Sequence, residues 1–236
     1  APLTPRLVCS PQTVGKEAGE WCPFGAGPDQ AGDQRDDDTR SLVFETPPLD
    51  APLEILGAAV VTLDVSSDRP LANLAVRLCD VHPTGESLRV SFGVLNLTHR
   101  DGHEAPSPLV VGQRYRVRIQ LNDAGSVIPA GHRIRLALST AYWPMIWPSP
   151  EKATLTITGG TLDLPVRPPR ANEALPPLPE PETAPPEKPT ALRPGVERID
   201  RLGLELGTEG KFSFHIEDDD RSEEHTLNSS HGIISV

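Results

Sequence analysis

The side chains of this sequence that could perform acyl-transfer chemistry do not form a recognisable catalytic set. A serine nucleophile on a strand–turn–helix elbow lies in a G-x-S-x-G motif, and the sequence contains no such motif. The serine pair Ser66-Ser67 follows an alternating apolar run that ends at Val65, and no histidine lies near it in sequence. Because a nucleophile needs a base within hydrogen-bond reach, we predict that this chain contains no catalytic residue.

Histidines and clustered aspartates are the other candidates for chemistry, as metal ligands. His82, His99 and His103 lack the short, regular spacing of a zinc site. The run Asp36-Asp37-Asp38 lacks the glycine and the distal glutamate of a calcium loop. His132 follows a turn, and we expect its ring to tie that turn to a backbone carbonyl. We therefore predict no metal ion and no cofactor.

Two bulky aromatic residues stand in the irregular, polar region that covers residues 1–40. Trp21 and Phe24 must pack against something, because large rings are not left in water without reason. One interpretation is that they cap the core of this domain. The other is that they face a neighbouring domain or a ligand.

A second aromatic group follows residue 141. Such a dense apolar patch is not expected to face water in a lone domain. It could be an interface to a neighbouring domain, a dimer face, or a stacking platform for sugar rings, in that order of preference. The rings assigned to this predicted interdomain interface are Tyr142, Trp143 and Trp147.

Charge and hydropathy exclude two classes of partner. The 236 residues carry a net charge of −11 and show no basic stripe. A nucleic-acid partner is therefore not expected. No apolar run approaches the roughly 18 residues of a membrane-spanning helix, so we expect no membrane partner.

The cysteines are Cys9, Cys22 and Cys79. Their odd number and irregular spacing argue against a disulfide framework. Cys79 lies inside a strand pattern and is expected to be a small buried apolar residue. Reduced cysteines favour a cytoplasmic location, and because the chain begins with Ala1 we expect that the true N-terminus precedes it.

Short apolar runs with a period of two recur along the chain and predict an all-β fold. The alternation of apolar residues with arginine at 115–121 and 133–138 places one face of each strand inward. Residues 122–125 and Gly159-Gly160 are predicted to be turns. About eight strands without an amphipathic helix indicate a sandwich or barrel. The runs that predict strands cover 41–45, 53–65 through Gly57, 72–78, 90–94, 115–121, 134–138, 153–157 and 162–166.

The sequence changes character after residue 168. Residues 169–195 are rich in proline and glutamate and predict a stiff spacer. Residues 196–218 predict a β-hairpin around Gly207 and Gly210. Residues 221–236 resemble a translated sequencing adapter, so we expect them to be artefactual.

Several motifs in order connect the chain with a known family. They lie at residues 32–49 (GDQRDDDTRSLVFETPPL), 56–68 (LGAAVVTLDVSSD), 74–87 (LAVRLCDVHPTGES) and 127–144 (VIPAGHRIRLALSTAYWP). Together they resemble the C-terminal domain of X-Pro dipeptidyl-peptidases and cocaine-esterase-like acyl hydrolases.

This resemblance implies a jelly-roll, galactose-binding-like β-sandwich over residues 25–168, preceded by an irregular lead-in at 1–24. It also implies that the catalytic serine, aspartate and histidine belong to an α/β-hydrolase domain that precedes the jelly roll. The expected function is then a non-catalytic fragment of a serine hydrolase, of the dipeptidyl-peptidase or esterase type, that braces the catalytic domain and shapes its pocket. In the family that this chain resembles, the loop before the motif at 32–49 approaches the catalytic pocket, so the resemblance implies a substrate-binding role for Trp21 and Phe24 as apolar pocket wall. The alternatives are a free-standing carbohydrate-binding module and a structural or oligomerisation domain.

Overall fold

The computed structural model describes residues 4–22, 30–168, 211–218, 221–228 and 233–235, with side chains described in the first two ranges. Eight strands in these two ranges form two antiparallel sheets of four strands each. Sheet I contains, in spatial order, β1 (Arg6–Val8), β8 (Leu155–Asp163), β3 (Leu53–Ser67) and β6 (Tyr115–Ile128). Sheet II contains β2 (Leu42–Glu45), β7 (Arg133–Ser139), β4 (Asn73–Val81) and β5 (Ser87–Asn96).

The strand pairing is nested, which defines the topology. Strand β1 pairs with β8, β2 with β7, β3 with β6 and β4 with β5, all antiparallel. An eight-stranded double sheet with this folded-over order is a jelly roll. The predicted all-β jelly-roll sandwich is therefore confirmed.

The core lies between the two sheets and is built by the alternation seen in the sequence. In sheet I the inward side chains include Val61, Leu63 and Val65, and in sheet II they include Leu136 and Leu138. Each aliphatic side chain buried in this way contributes about 1.5–3 kcal/mol on transfer from water. Since the residues that meet come from distant parts of the chain, the strands gain this energy only as one packed unit.

Regular helix is confined to two short pieces in the described residues. Helix α1 spans Arg35–Thr39, and a 3-10 helix spans Leu97–His99. The prediction that the domain has no amphipathic helix agrees with these one-turn elements, because neither is long enough to present an apolar stripe.

The two turns predicted at 122–125 and 159–160 are wrong. Residues 122–125 continue strand β6, and the register between β3 and β6 shifts near Ala58 and Val60. Gly159 and Gly160 lie inside the single strand β8, where the register with β3 shifts between Asp64 and Val65. A bulge absorbs an extra residue without ending a strand. Glycine and small polar residues, which occur in bulges as well as in turns, therefore led to the wrong turn predictions.

Gly160 shows why glycine stands inside a strand here. A side-chain carbon at this position would lie 2.5 Å from the Thr62 carbonyl oxygen and 2.6 Å from a methyl group of Leu63. Strand β3 therefore approaches β8 so closely at Gly160, beside the bulge, that only a residue without a side chain fits.

The sandwich begins upstream of the predicted boundary at residue 25. Strand β1 lies at Arg6–Val8 and pairs with β8, and the side chain of Val8 is buried in the core. The predicted irregular lead-in therefore contains an edge strand of sheet I. Three residues are too short to show an alternating pattern, which is why the sequence did not reveal this strand.

A third sheet lies beyond the sandwich in sequence. Strand β9 (Lys211–Asp218) pairs antiparallel with β10 (Arg221–Asn228), which pairs with β11 (Ile233–Ser235). The first half of the predicted hairpin, residues 196–206, and the predicted spacer at 169–195 lie outside the described residues. Both stay predictions, as does the adapter origin of residues 221–236, which strand pairing does not test.

Candidate functional site

Strand β4 in sheet II is buried on both of its faces. Its core-facing side chains are Leu74, Val76 and Leu78, which pack between the two sheets. On the opposite face, Ala75, Arg77 and Cys79 also have no exposed area. The outer face of sheet II is therefore covered by other parts of the chain. The residues that cover it, 10–22 and 30–41, are here called the cover segment.

An apolar cluster joins the cover segment to the sheet. Val14 and Ala18 of the cover segment pack with Ala75 of β4 and with Tyr142 and Met145, which follow β7. All five side chains are buried. The cover segment is therefore a packed second layer over sheet II rather than a loose loop.

Arg77 is the centre of the polar contacts beneath the cover segment. Its Nη2 atom lies 3.1 Å from Oδ1 of Asp38, and both side chains are almost fully buried. This contact is an ion pair rather than an aligned hydrogen bond. Arg77 also donates hydrogen bonds to Gln34 Oε1 (3.1 Å) and Ser41 Oγ (2.8 Å). The guanidinium thus holds three residues in and around helix α1.

Asp38 extends this network towards the surface. Its Oδ2 atom accepts hydrogen bonds from Ser87 Oγ (2.7 Å) and Arg135 Nη1 (2.8 Å). Arg135 also donates from Nε to Glu45 Oε2 at 2.8 Å. Burial alone would lower the pKa of Arg135, but the carboxylates of Asp38 and Glu45 raise it. The two charges on Asp38 and Arg77 are therefore buried as part of a paired network.

Asp37 lies beside this network, but its carboxylate has fewer hydrogen-bond partners than that of Asp38. Burial raises the pKa of its carboxyl, against the lowering effect of the Gly15 backbone N–H and the Arg77 charge. Its Oδ2 atom accepts a 3.3 Å hydrogen bond from the Glu17 N–H, and Oδ1 has no hydrogen-bond partner among the described residues. Asp37 therefore binds the backbone of the cover segment, although burial makes its charged carboxylate unfavourable.

Arg89 ties the cover segment to the loop after β7. Its Nη1 atom donates to the Ala18 carbonyl oxygen at 2.8 Å and to the Tyr142 hydroxyl at 2.5 Å. Its guanidinium also lies 4.6 Å from the centre of the Phe92 ring. Burial raises the pKa of the Tyr142 phenol. Tyr142 is therefore an interior residue of this site.

The structure separates the three rings predicted to form an interface. Tyr142 is only 1% exposed, because the cover segment and Phe92 enclose it, so it does not belong to an exposed patch. Trp147 is 50% exposed. The rings of Trp143 and Trp147 lie 5.4 Å apart at an angle of 67°. The rings do not form one flat platform of the kind on which a sugar would stack.

Trp147 borders a shallow groove with a volume of about 500 Å³. The side chains of Leu71 and Val94 are also partly exposed there. Asn73 fixes the position of the loop by donating from Nδ2 to the Trp147 carbonyl oxygen at 3.0 Å. The larger apolar side chains that line this groove include Leu71, Val94, Leu95, Ile146, Trp147 and Pro148.

Trp21, one of the two predicted pocket residues, lies in the cover segment. Trp21 is 72% exposed and therefore does not cap the core of the sandwich. Phe24 lies outside the described residues. The structure thus presents the Trp21 ring to solvent from an anchored segment, and the proposed contact of either residue with substrate stays a prediction.

The candidate histidines are brought together in pairs. His132 Nδ1 lies 2.8 Å from Asp80 Oδ1, so the prediction that its ring binds a backbone carbonyl is wrong. The rings of His82 and His132 are 4.4 Å apart. His99 and His103 approach each other through their Nδ1 atoms at 3.1 Å. Sequence spacing did not reveal the first pair, because it forms across two strands.

The buried Arg77 was not identified from the sequence. Alternation along β4 places Arg77 on the outer face of sheet II, which the sequence predicts to be exposed. In the structure both faces of β4 are buried at this point, and Arg77 is 0% exposed. A signal was present, because Ala75 and Cys79 on the same face are small and apolar. A strand with apolar residues on its second face is typical of a strand covered on both sides.

No helix in the described residues is both long and apolar enough to cross a membrane.

Comparisons with known proteins agree with this architecture. Residues 3–181 match the family model described as the X-Pro dipeptidyl-peptidase C-terminal non-catalytic domain. A Mycobacterium bovis protein predicted to be a serine esterase is 31% identical over 126 residues, which are 46% of this chain and 20% of that protein. The cocaine esterase of a Rhodococcus species is 28% identical over 123 residues, which are 51% of this chain and 21% of the esterase. The chain therefore spans about a fifth of the length of these curated relatives.

Two solved structures share the fold. An alpha-amino acid ester hydrolase aligns with a TM-score of 0.59 and 24% identity, over 70% of this chain and 33% of the hydrolase. An aminopeptidase from a Thaumarchaeota archaeon aligns with a TM-score of 0.62 and 19% identity, over the same shares of the two chains. At these identities the likeness concerns the fold.

Proposed function

Because the chain belongs to the family of X-Pro dipeptidyl-peptidase C-terminal non-catalytic domains, we propose that it serves as the accessory sandwich of a larger serine acyl hydrolase. In this proposal an α/β-hydrolase domain of the same protein supplies the serine, the histidine and the acid. The sandwich braces that domain and contributes apolar wall to its substrate pocket. The parent enzyme cleaves esters or X-Pro amides by acyl transfer.

The anchoring of the cover segment is the observation that carries this proposal. The cover segment carries the exposed Trp21 and is held by charged groups: Arg77 pairs with Asp38, and Arg89 donates to the Ala18 carbonyl. Removing such charges from water is costly in free energy unless ion pairs and further hydrogen bonds hold the charged groups in good geometry. A segment held in this way can present a ring in a fixed position, which is what a pocket wall requires.

A second surface fits the bracing role. The groove beside Trp147 exposes apolar side chains on the edge of sheet II, and exposed apolar patches mark surfaces that contact another protein unit. We assign this groove to the contact with the hydrolase domain. Trp21 and Trp147 then have different roles, in substrate binding and in domain contact.

The catalytic part of the proposal is tested with the chain by itself. The purified chain is assayed with p-nitrophenyl esters and with X-Pro anilides. We expect no hydrolysis above the buffer rate. Turnover that survives repurification and is lost with a serine-directed inhibitor would show that the chain has its own catalytic set.

The two surfaces are tested in the longer protein that carries the hydrolase domain, with two matched tryptophan variants. Trp21→Ala is expected to raise KM several-fold for apolar substrates and to leave the thermal unfolding of the protein unchanged. Trp147→Ala is expected to leave KM unchanged and to let the two domains unfold separately in calorimetry. Unchanged kinetics in Trp21→Ala would refute the pocket-wall role while leaving the bracing role intact.

A further inference from the structure

Asp80, His82 and His132 converge at one end of sheet II, on the side of the strands away from the contacts of Arg77. Each of the three side chains offers one metal-binding atom, and these atoms all lie within 4.8 Å of one another. We propose that this cluster binds a divalent transition-metal ion of the zinc type. This proposal does not depend on the proposed hydrolase function.

The backbone positions these ligands firmly. Asp80 belongs to β4 and His82 follows its end, so the two side chains share one face of the strand. The last pair of the β4–β7 ladder is Val81 with Arg133, which places His132 opposite His82. The His132 carbonyl accepts from the Leu49 N–H at 2.8 Å, and the His82 N–H donates to the Glu86 carbonyl at 2.8 Å.

The ligand set suits a borderline metal ion. Imidazole nitrogens and a carboxylate oxygen bind zinc at about 2.0–2.2 Å, with water or another ligand in the open position. The Asp80 and His132 side chains are 13% and 14% exposed, whereas His82 is 35% exposed. Two ligands are thus held in place, and the third can rotate to close the site around an ion that enters from solvent.

The charge of Asp80 supports the same conclusion. Among the described side chains, its ion-pair partners are the two histidines, at 2.8 Å for His132 and 4.0 Å for His82. A mostly buried carboxylate whose ion-pair partners are two imidazoles has no permanent positive partner, and buried charges are usually paired or bound to metals. A divalent ion would supply that charge, with His132 binding through Nδ1 and carrying its remaining proton on Nε2.

The test measures zinc binding to the full chain without a polyhistidine tag. After treatment with a chelator, Zn²⁺ is titrated calorimetrically, and unfolding is followed by heat with and without the ion. We expect one high-affinity site per chain and an increase of several degrees in Tm at saturation, because a ligand that binds only the folded state stabilises it. Co²⁺ is expected to give visible absorption without the intense thiolate band that cysteine ligands produce.

Variants separate this site from other metal-binding groups. His82→Gln is expected to weaken zinc binding at least about tenfold, as loss of groups around a metal site does, while its Tm in chelator matches that of the wild type. Asp80→Asn should have a similar effect on binding. The double variant His99→Gln/His103→Gln removes the other histidine pair and is expected to bind like the wild type, as is Cys9→Ser/Cys22→Ser. Absence of a saturable site, or a site that His82→Gln leaves unchanged, would overturn the proposal.

Discussion

The guanidinium of Arg77 and the carboxylate of Asp38 form an ion pair with 3.1 Å between Nη2 and Oδ1, at exposures of 0% and 4%. Arg77 belongs to a central strand of sheet II, and Asp38 belongs to the helix that lies over its outer face. The pair therefore joins the cover segment to the sandwich at a point that water does not reach. Removal of Asp38 would leave the buried guanidinium without its ion-pair partner, whereas Asp38 is also paired with Arg135.

The neighbouring residues Asp37 and Asp38 are predicted to respond differently to the same substitution. Asp38→Asn leaves the buried Arg77 without its counter-charge and is expected to cost about 3–5 kcal/mol in the free energy of unfolding. Asp37→Asn replaces a buried carboxyl group whose pKa is raised by burial, and it is expected to lower the free energy of unfolding by less than about 1 kcal/mol. Urea unfolding at pH 7, followed by circular dichroism, measures both. Equal losses in the two variants would contradict this account of the network.

Glu45 is predicted to make the domain sensitive to acid. Burial opposes ionisation, but the hydrogen bonds from Arg133 and Arg135 prevail and lower its pKa below the ordinary value of 4.5. A lowered folded pKa contributes stability above the unfolded pKa, and this contribution is lost as pH falls through the folded value. Glu45→Gln should therefore reduce stability at pH 7 and flatten its decline below pH 4.5. Urea midpoints across this range test it, with the more exposed Glu151→Gln as control.

Gly15 is predicted to be required for the cover segment to reach the loop after β7. Its φ of +114° is unfavourable for other residues, and an added side-chain carbon would lie 2.0 Å from the Trp143 carbonyl oxygen. Gly112 also has a positive φ, of +78°, but open space around it. Gly112→Ala should cost only the backbone strain of about 1–2 kcal/mol, whereas Gly15→Ala should cost more. Faster trypsin cleavage at Lys16 in Gly15→Ala, but not in Gly112→Ala, would show that the segment has detached.

The cysteines are predicted to differ sharply in reactivity. Cys79 is fully buried, and burial raises the pKa of its thiol to about 12. Cys9 and Cys22 are free and exposed. A thiol reagent at pH 8 should therefore modify two thiols per chain in the native protein and the third only after denaturation. Rapid reaction of all three thiols in the folded protein would contradict the burial of Cys79.

Local pattern was sufficient to predict the class of fold and most of the strands, but not the three-residue strand β1. The alternation of Val117, Ile119 and Leu121, and of Ile134, Leu136 and Leu138, reflects a backbone period of two that any strand with one buried face must show. The family resemblance of the motifs likewise depends only on residue order. By contrast, residues 122–125 and 159–160 continue strands β6 and β8 beside shifts in register, and they look like turns in sequence. Glycine and small polar residues are common in both bulges and turns.

Only the tertiary structure decided how distant residues combine. The nested pairing of strands brings His132 beside Asp80 and His82, and it places Asp38 over Arg77, although these partners are far apart in the chain. Sequence analysis named His82, His132 and the aspartate run at 36–38. It could not show that the two histidines meet at Asp80 or that the aspartate run lies over Arg77. The reason is physical: alternation fixes which face of a strand is buried, whereas the partner across a sheet or above it depends on how the whole chain packs.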